Sequence, residues 1–276
     1  MQLSVFNSLG DRMTQKEKKK IREKIILVIL LAIFVGIAGF SAYQILNITN
    51  NYREGRLAYE SLLEEMTIKT EEKEEVAVEP YYLQLNYEAL NNRNSDFIGW
   101  IRMRDTVINY PIVQARDNDF YLHRSIDKGY LYSGTIFMDF RNSGDWSDLN
   151  SIIYGHRMND GSMFGTLPKF ANKAYWDEHR SFEIYRDNKV YIYSIYSFYK
   201  TKASGDTYQI YFNGDKAKSD WISATFNNSM YSSGQYVGIN DHVITLSTCV
   251  RNEDDNRWVL HAVLTNVIDL AQESNS

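Results

Sequence analysis

The sequence is poor in the residues that staple or punctuate a fold. It has one cysteine among 276 residues, which excludes an internal disulfide framework and any cysteine-cluster zinc site. Proline is almost as scarce, at 3 residues. No Gly-rich phosphate loop appears, and no internal repeat. The net charge of −5 gives no sign of a nucleic-acid partner. What is present is aromatic: 21 tyrosines, with few helix signals in the second half, point to a β-rich domain. The length allows one sizeable domain plus appendages.

Charge and hydropathy are unevenly placed. Ile25 to Phe40 carries no charged or strongly polar side chain, and the apolar character continues past Ser41 and Gln44 to Leu46. About 22 residues at ~1.5 Å each suffice for a ~30 Å hydrocarbon core. Lys16, Lys18, Lys19, Lys20, Arg22 and Lys24 precede this run against Glu17 and Glu23, whereas Arg53 and Arg56 come only later. The positive-inside rule then puts the N-terminus in the cytoplasm and everything after Leu46 outside. A cleaved signal peptide is the rival reading; the apolar run exceeds the usual h-region, and no clear small-x-small site follows it. A core helix fits poorly with the basic flank.

Residues 47–79 read as a helical stalk followed by an acidic linker. Tyr52, Tyr59, Leu62, Leu63 and Met66 recur at near-helical spacing, and Thr67 to Glu79 is charged, without aromatics, up to Pro80. Tyr82 to Asn92 forms a short helix by pattern, with Leu83, Tyr87 and Leu90 on one side. From Asp96 the pattern becomes β: 97–101, 107–113 with Pro111 marking an edge or bulge, 135–139, 151–154, and two strands within 181–197 joined at Arg186-Asp187-Asn188. Residues 161–170 are loop and short helix, and 216–227 are helical. Many short strands at this spacing favour a closed barrel or a sandwich.

Chemistry concentrates between Asp241 and Leu264. Val243 to Thr248 is dense in β-branched residues and Trp258 to Leu264 is as apolar, with a polar loop between them. Cys249 sits where the first strand runs out and Arg257 where the second begins, so pairing of the two would bring thiol and guanidinium to one rim. A free cysteine is most often a small buried hydrophobe. Acting as a nucleophile it needs the thiolate, supplied by cationic neighbours or a base. Arg257 is either a solvated strand-end arginine or a permanent cation beside a developing oxyanion. Among the five histidines, His261 lies inside an apolar strand, His242 opens the cysteine strand and His179 sits in a charged helical stretch. His156 follows Ile152-Ile153-Tyr154-Gly155 at another strand end, and spacing alone separates it little from His123. Asp254 and Asp255 lack the oxygen ligands that would complete a calcium loop.

These motifs together resemble the sortases, the cysteine transpeptidases of the Gram-positive cell wall. The resemblance spans roughly Tyr82 to Ile268. It is carried by Tyr154-Gly155-His156, Thr245-Leu246-Ser247-Thr248-Cys249, and Arg257 in Arg-Trp-Val-Leu-His-Ala. The runs at Asp96 to Ile101, Tyr110 to Gln114, Asp117 to Leu122 and Gly134 to Asp139 also resemble the family. The helix before Asp96 and the helical insertion before the cysteine strand are similar to class B in particular; the lid and C-terminal span usual in class C are not seen. The implied fold is mainly β: an eight-stranded barrel with an N-terminal helix and a helical insertion, preceded by a transmembrane helix. The implied triad is His156, Cys249 and Arg257, with Ser247 and Thr248 lining the substrate pocket and no cofactor or metal. Some class B members carry acidic residues just after the cysteine; this chain has Val250 and Arg251.

The implied mechanism is a two-step acyl transfer. The Cys249 thiolate attacks the threonine carbonyl of a sorting motif near the C-terminus of a secreted protein, with Arg257 at the oxyanion or the peptide. His156 protonates the leaving amine, then deprotonates the amine of peptidoglycan or its lipid-linked precursor, which resolves the thioester. The expected organisation is a basic cytoplasmic tail over 1–24, a single membrane span over 25–46, stalk and linker over 47–79, an extracellular catalytic domain over 80–270 and a tail over 271–276. Two rivals stand beside it. Ser247-Thr248-Cys249-Val250-Arg251 has some likeness to the L,D-transpeptidase run, although Thr248 replaces its glycine and no matching His-Gly motif precedes it. A non-catalytic surface barrel used for adhesion would instead treat Cys249 as core.

Overall fold

Alternating side chains and two long strands, one of them rich in tyrosine, build a sheet that closes on itself. In the computed structural model, which describes residues 14–68, 82–250 and 253–270, eight strands form a closed barrel in the order β1-β2-β3-β4-β7-β8-β6-β5. They are β1 (Phe97–Arg102), β2 (Asn109–Val113), β3 (Ile136–Met138), β4 (Asn150–Tyr154), β5 (Ser181–Arg186), β6 (Lys189–Lys202), β7 (Val243–Val250) and β8 (Glu253–Asp269). Two neighbouring pairs are parallel, β2 with β3 and β4 with β7; the remaining pairs are antiparallel. Of the two architectures the strand spacing allowed, the barrel is the one formed.

The chain divides into two units, residues 1–50 and 51–276. Helix α1 (Gln15–Met66) includes an apolar stretch long enough to cross a membrane by length and composition. Its side chains over 25–46 are exposed. In the second unit the same helix buries Gly55, Tyr59, Leu62 and Met66, one face at helical spacing, as the stalk pattern implied. The acidic linker from residue 69 onward, Pro80 and the 271–276 tail lie outside the described residues, as do residues 1–13 of the basic tail.

Several boundaries differ from the sequence reading; β6, for one, runs to Lys202 rather than 197, and two other differences have a clear local cause. The helix expected over 82–92 is α2 (Tyr87–Arg93), five residues later. Asn86 caps it, its side chain accepting from the Ala89 N–H at 2.9 Å. Leu85 before it is extended, bridged to Thr67, so Leu83 is buried outside the helix. The second difference is at β8, which begins at Glu253 rather than at Arg257, with Val250 paired to Glu253 and a register shift next to Cys249. Backbone pairing overrides the polar side chains there because those side chains still reach solvent. Lys200 Nζ, for instance, meets the Glu253 carboxylate at 2.9 Å.

The β5–β6 hairpin turns on Asp187 and Asn188, both in the left-handed region (φ 53° and 57°), which asparagine and aspartate tolerate better than most side chains. Pro111 pairs with Trp100 on β1, while the β2–β3 pairing begins at Ile112, so its missing N–H faces an unpaired edge. Trp100, Ile101, Ile112, Phe182, Ile184 and Leu260 are fully buried in the main core. Helices α3 (Lys173–Glu178) and α4 (Gly214–Asn228) stand beside three short 3-10 turns (Phe120–His123, Leu167–Ala171 and Asp206–Tyr208), and α4 is the helical insertion ahead of the cysteine strand.

Candidate active site

Parallel pairing decides where the reactive side chains emerge. Strands β4 and β7 run side by side in one direction, and their last partners are Tyr154 and Ser247. Two residues further on, the chain after β4 has reached His156 and β7 has reached Cys249, so both lie at the same rim of the sheet. The backbone fixes this: Gly155 N–H donates to Ser247 O at 3.2 Å, and the Thr248 hydroxyl donates to Gly155 O at 2.8 Å. Antiparallel pairing on the other side of β7 sets Arg257 directly opposite Cys249. His156, Ser247, Thr248, Cys249 and Arg257 line one cavity of about 270 Å³.

Gly155 is required by close approach. A Cβ there would lie 2.5 Å from Ile136 Cδ1 and 2.7 Å from the Phe164 ring. A side chain would push the strand end, and with it His156, away from β7.

Within the cavity His156 is half-buried and its Nε2 lies 2.7 Å from Leu122 O. A carbonyl only accepts, so Nε2 carries the proton and the Nδ1 lone pair is the basic atom. Burial pushes the imidazole pKa below its ordinary value; the Leu122 carbonyl works against this and the neighbouring His123 adds to it. The ring is therefore neutral at pH 7. Cys249 is exposed, which a thiol serving only as core would not be. The half-buried Arg257 donates from Nη1 to its neighbour Asn256 O at 2.9 Å.

Ser247 and Thr248 are both buried, and each hydroxyl holds a wall of the cavity. Ser247 Oγ meets the Tyr208 hydroxyl at 2.9 Å, while Thr248 ties down the histidine strand as described. The Tyr208 phenol is pushed up to about 12, mainly by burial, with the Ser247 bond and the Arg257 charge opposing. Among the described residues, no group of three or more His, Cys, Asp or Glu side chains is placed to hold a metal ion.

The other histidines separate cleanly. His261 is fully buried inside the barrel wall. His179 caps α3 and stacks on Tyr175 with centroids 3.9 Å apart. His242 precedes β7 and so lies at its far end from Cys249, 3.3 Å from Asp148 O. His123, which spacing could not set apart from His156, stacks on it at 5.2 Å and is exposed. Tyr208, Leu122 and Thr135 also line the cavity and were not foreseen. Leu122 and Thr135 fall within two of the family-like runs, 117–122 and 134–139, but those runs gave no sign of a place at the cavity, and only the surplus of tyrosines hinted at Tyr208. Arg251, the departure noted after the cysteine, lies outside the described residues.

Comparison with known proteins is decisive at this point. A family model described as a sortase domain matches residues 101–265. The chain belongs to the sortase family. Sortase B of Listeria monocytogenes is 36% identical over 165 residues, 60% of this chain and 67% of that protein. Sortase B of Staphylococcus aureus is 29% identical over 248 residues, 88% of this chain and 96% of that protein. Among solved structures, sortase B from B. anthracis in a complex superimposes with a TM-score of 0.67 at 32% identity, covering 79% of this chain and 99% of that one. A Staphylococcus aureus sortase B–substrate complex gives 0.62 at 30% identity, covering 67% and 85%. The expected likeness to class B sortases is thus found in sequence and in fold. This sortase is a cysteine transpeptidase by family, and the L,D-transpeptidase and adhesion readings are left without support.

Proposed function

We propose that this sortase acts as a class B enzyme: Cys249 is the nucleophile, His156 the general base and acid, and Arg257 the cation beside the developing oxyanion. The observation that carries this reading is the arrival of all three at one cavity from three neighbouring strands, β4, β7 and β8. Neutral His156, protonated at Nε2, takes the thiol proton on Nδ1. Cys249 sulfur then attacks the threonine carbonyl carbon of a sorting motif, and the oxyanion develops within reach of the planar Arg257 fork. The imidazolium returns its proton to the leaving amine as the C–N bond breaks, leaving a thioester. An incoming peptidoglycan amine loses a proton to His156, attacks the thioester and restores the thiol. Ser247 and Thr248 shape the peptide-binding wall.

The substrate complex of the Staphylococcus aureus relative supports a substrate of that enzyme's kind here. We assign residues 25–46 as a single membrane span with the N-terminus cytoplasmic and 80–270 as the extracellular catalytic domain, because the basic flank precedes the apolar run. Intact-mass analysis of protein incubated with a library of sorting-motif peptides tests the chemistry. The expected product is an acyl adduct on Cys249, lost in Cys249→Ala together with all cleavage, while the melting temperature holds. Cleavage by Cys249→Ala at the wild-type rate would refute the assignment.

A further inference from the structure

The basic nitrogen of His156 is chosen by a backbone carbonyl, Leu122 O, that belongs to a loop built around a short 3-10 turn, Phe120–His123, outside the strand ladders of the barrel. That loop is held from outside by α1. Tyr59, 4% exposed, donates its hydroxyl to Gly134 O at 2.5 Å and lies 3.0 Å from Thr135 Oγ1. Thr135 in turn donates to Arg124 O at 2.7 Å, and its N–H reaches Tyr121 O at 3.1 Å. Gly134 sits so close that a Cβ would lie 2.3 Å from Leu122 O, and its φ of 61° favours glycine as well. Residues 121–124 and 134–135 are therefore one stitched unit, with the Leu122 carbonyl in the middle and Tyr59 at its back. The same helix reaches the other side of His156: Tyr59 packs edge-on against Tyr110, whose hydroxyl accepts from Met163 N–H at 3.0 Å, one residue before Phe164 N–H bonds His156 O.

Resting on the assignment of His156 as the base, we infer that Tyr59 is a positioning residue for it. By anchoring Gly134 and Thr135, Tyr59 holds Leu122 O where it fixes the proton on Nε2 and turns Nδ1 toward the chemistry. Without the phenol hydroxyl the loop loses its anchor, Leu122 O drifts, and the ring samples both tautomers, one of which presents a proton where a lone pair is needed. The thiol and the peptide-binding wall, built from β7, stay in place.

The test uses the full chain in detergent with its histidines labelled by nitrogen-15, as wild type and as Tyr59→Phe. Expected is a wild-type His156 signal of a ring protonated at Nε2, moving in Tyr59→Phe toward the average of the two tautomers. The kcat for a sorting peptide falls about fivefold, the scale of one lost hydrogen bond, with KM unchanged. Leu62→Ala, on the same buried helix face, is the control: it lowers the melting temperature and leaves the His156 signal alone. A His156 signal unaltered in Tyr59→Phe, or altered equally in Leu62→Ala, overturns the inference. Should Tyr59→Phe not fold, Thr135→Val removes the next link and is expected to shift the signal in the same sense; an unshifted signal there overturns it too. The signal is read on resting protein, so a tautomer change in a chain that cleaves no sorting peptide would sink the proposed function, and with it the catalytic meaning of the positioning, while an unshifted signal in a chain that cleaves would overturn this inference alone.

Discussion

His156 and His261 lie on either side of strand β7, yet one faces a cavity and the other is sealed. His261 occupies the middle of β8, paired with Thr245, and both ring nitrogens are engaged: Nδ1 with the Thr245 hydroxyl at 2.8 Å and Nε2 with the Tyr199 hydroxyl at 3.1 Å. Tyr196, Tyr199 and Trp221 surround the ring. Burial drives its pKa down to about 3. His156 sits where the ladder has ended, with one nitrogen spent on Leu122 O and the ring lining the cavity. Residue type is the same; the distance from the end of the sheet decides which imidazole opens onto the cavity and which one only holds the wall together.

The comparison can be broken most severely at the open end. Arg257→Lys keeps the charge but loses the planar fork, and transpeptidation is expected to fall by about 10²-fold with an unchanged melting temperature; steady-state kinetics and calorimetry together decide. Gly155→Ala comes next, since its Cβ must displace Phe164 and Ile136. A loss of about 1–3 kcal/mol is expected, with activity lowered beyond what stability explains, read by denaturant unfolding and kcat/KM.

At the sealed end the effect belongs to stability and carries a sign. The fold holds His261 neutral, so the unfolded chain takes up that proton first as pH falls. Its contribution is complete above the ordinary value near 6.5 and declines by about 1.4 kcal/mol per pH unit below it, until about 3. His261→Gln removes this slope, so between pH 6.5 and 5 the wild type is expected to lose about 2 kcal/mol more than the variant. Parallel unfolding curves would show that the buried ring does not titrate this way. The smallest effect is expected for His123→Ala. Its ring lowers the His156 pKa, so removing it moves the acid limb of the kcat/KM profile to higher pH; a shift to lower pH would contradict the electrostatic reading.

Much of this was legible in the sequence because β-branched runs and strand-end polar residues are local signals. The strand holding Cys249, the hairpin at Asp187-Asn188, the stalk face through Tyr59 and Met66, and the helical insertion before β7 all follow from spacing. The choice between His156 and His123 did not, since it depends on β4 lying parallel to β7, a pairing between strands about 90 residues apart that no local pattern encodes. The early start of β8 was hidden for a related reason: Glu253 to Asn256 are poor strand formers, drawn into the sheet by β6 and β7 on either side. Leu122 and Gly134 contribute through their backbone, and a carbonyl leaves no trace in side-chain chemistry.

Closure of the barrel has one further consequence. A transpeptidase meets polypeptide in extended form, and an open sheet would offer such chains a row of unpaired amides on which to add a strand. Here β5 returns to β1, so that docking mode is withdrawn from the wall of the molecule. A passing segment must instead be gripped by its side chains at the cavity mouth, and it leaves as readily as it came unless those side chains fit.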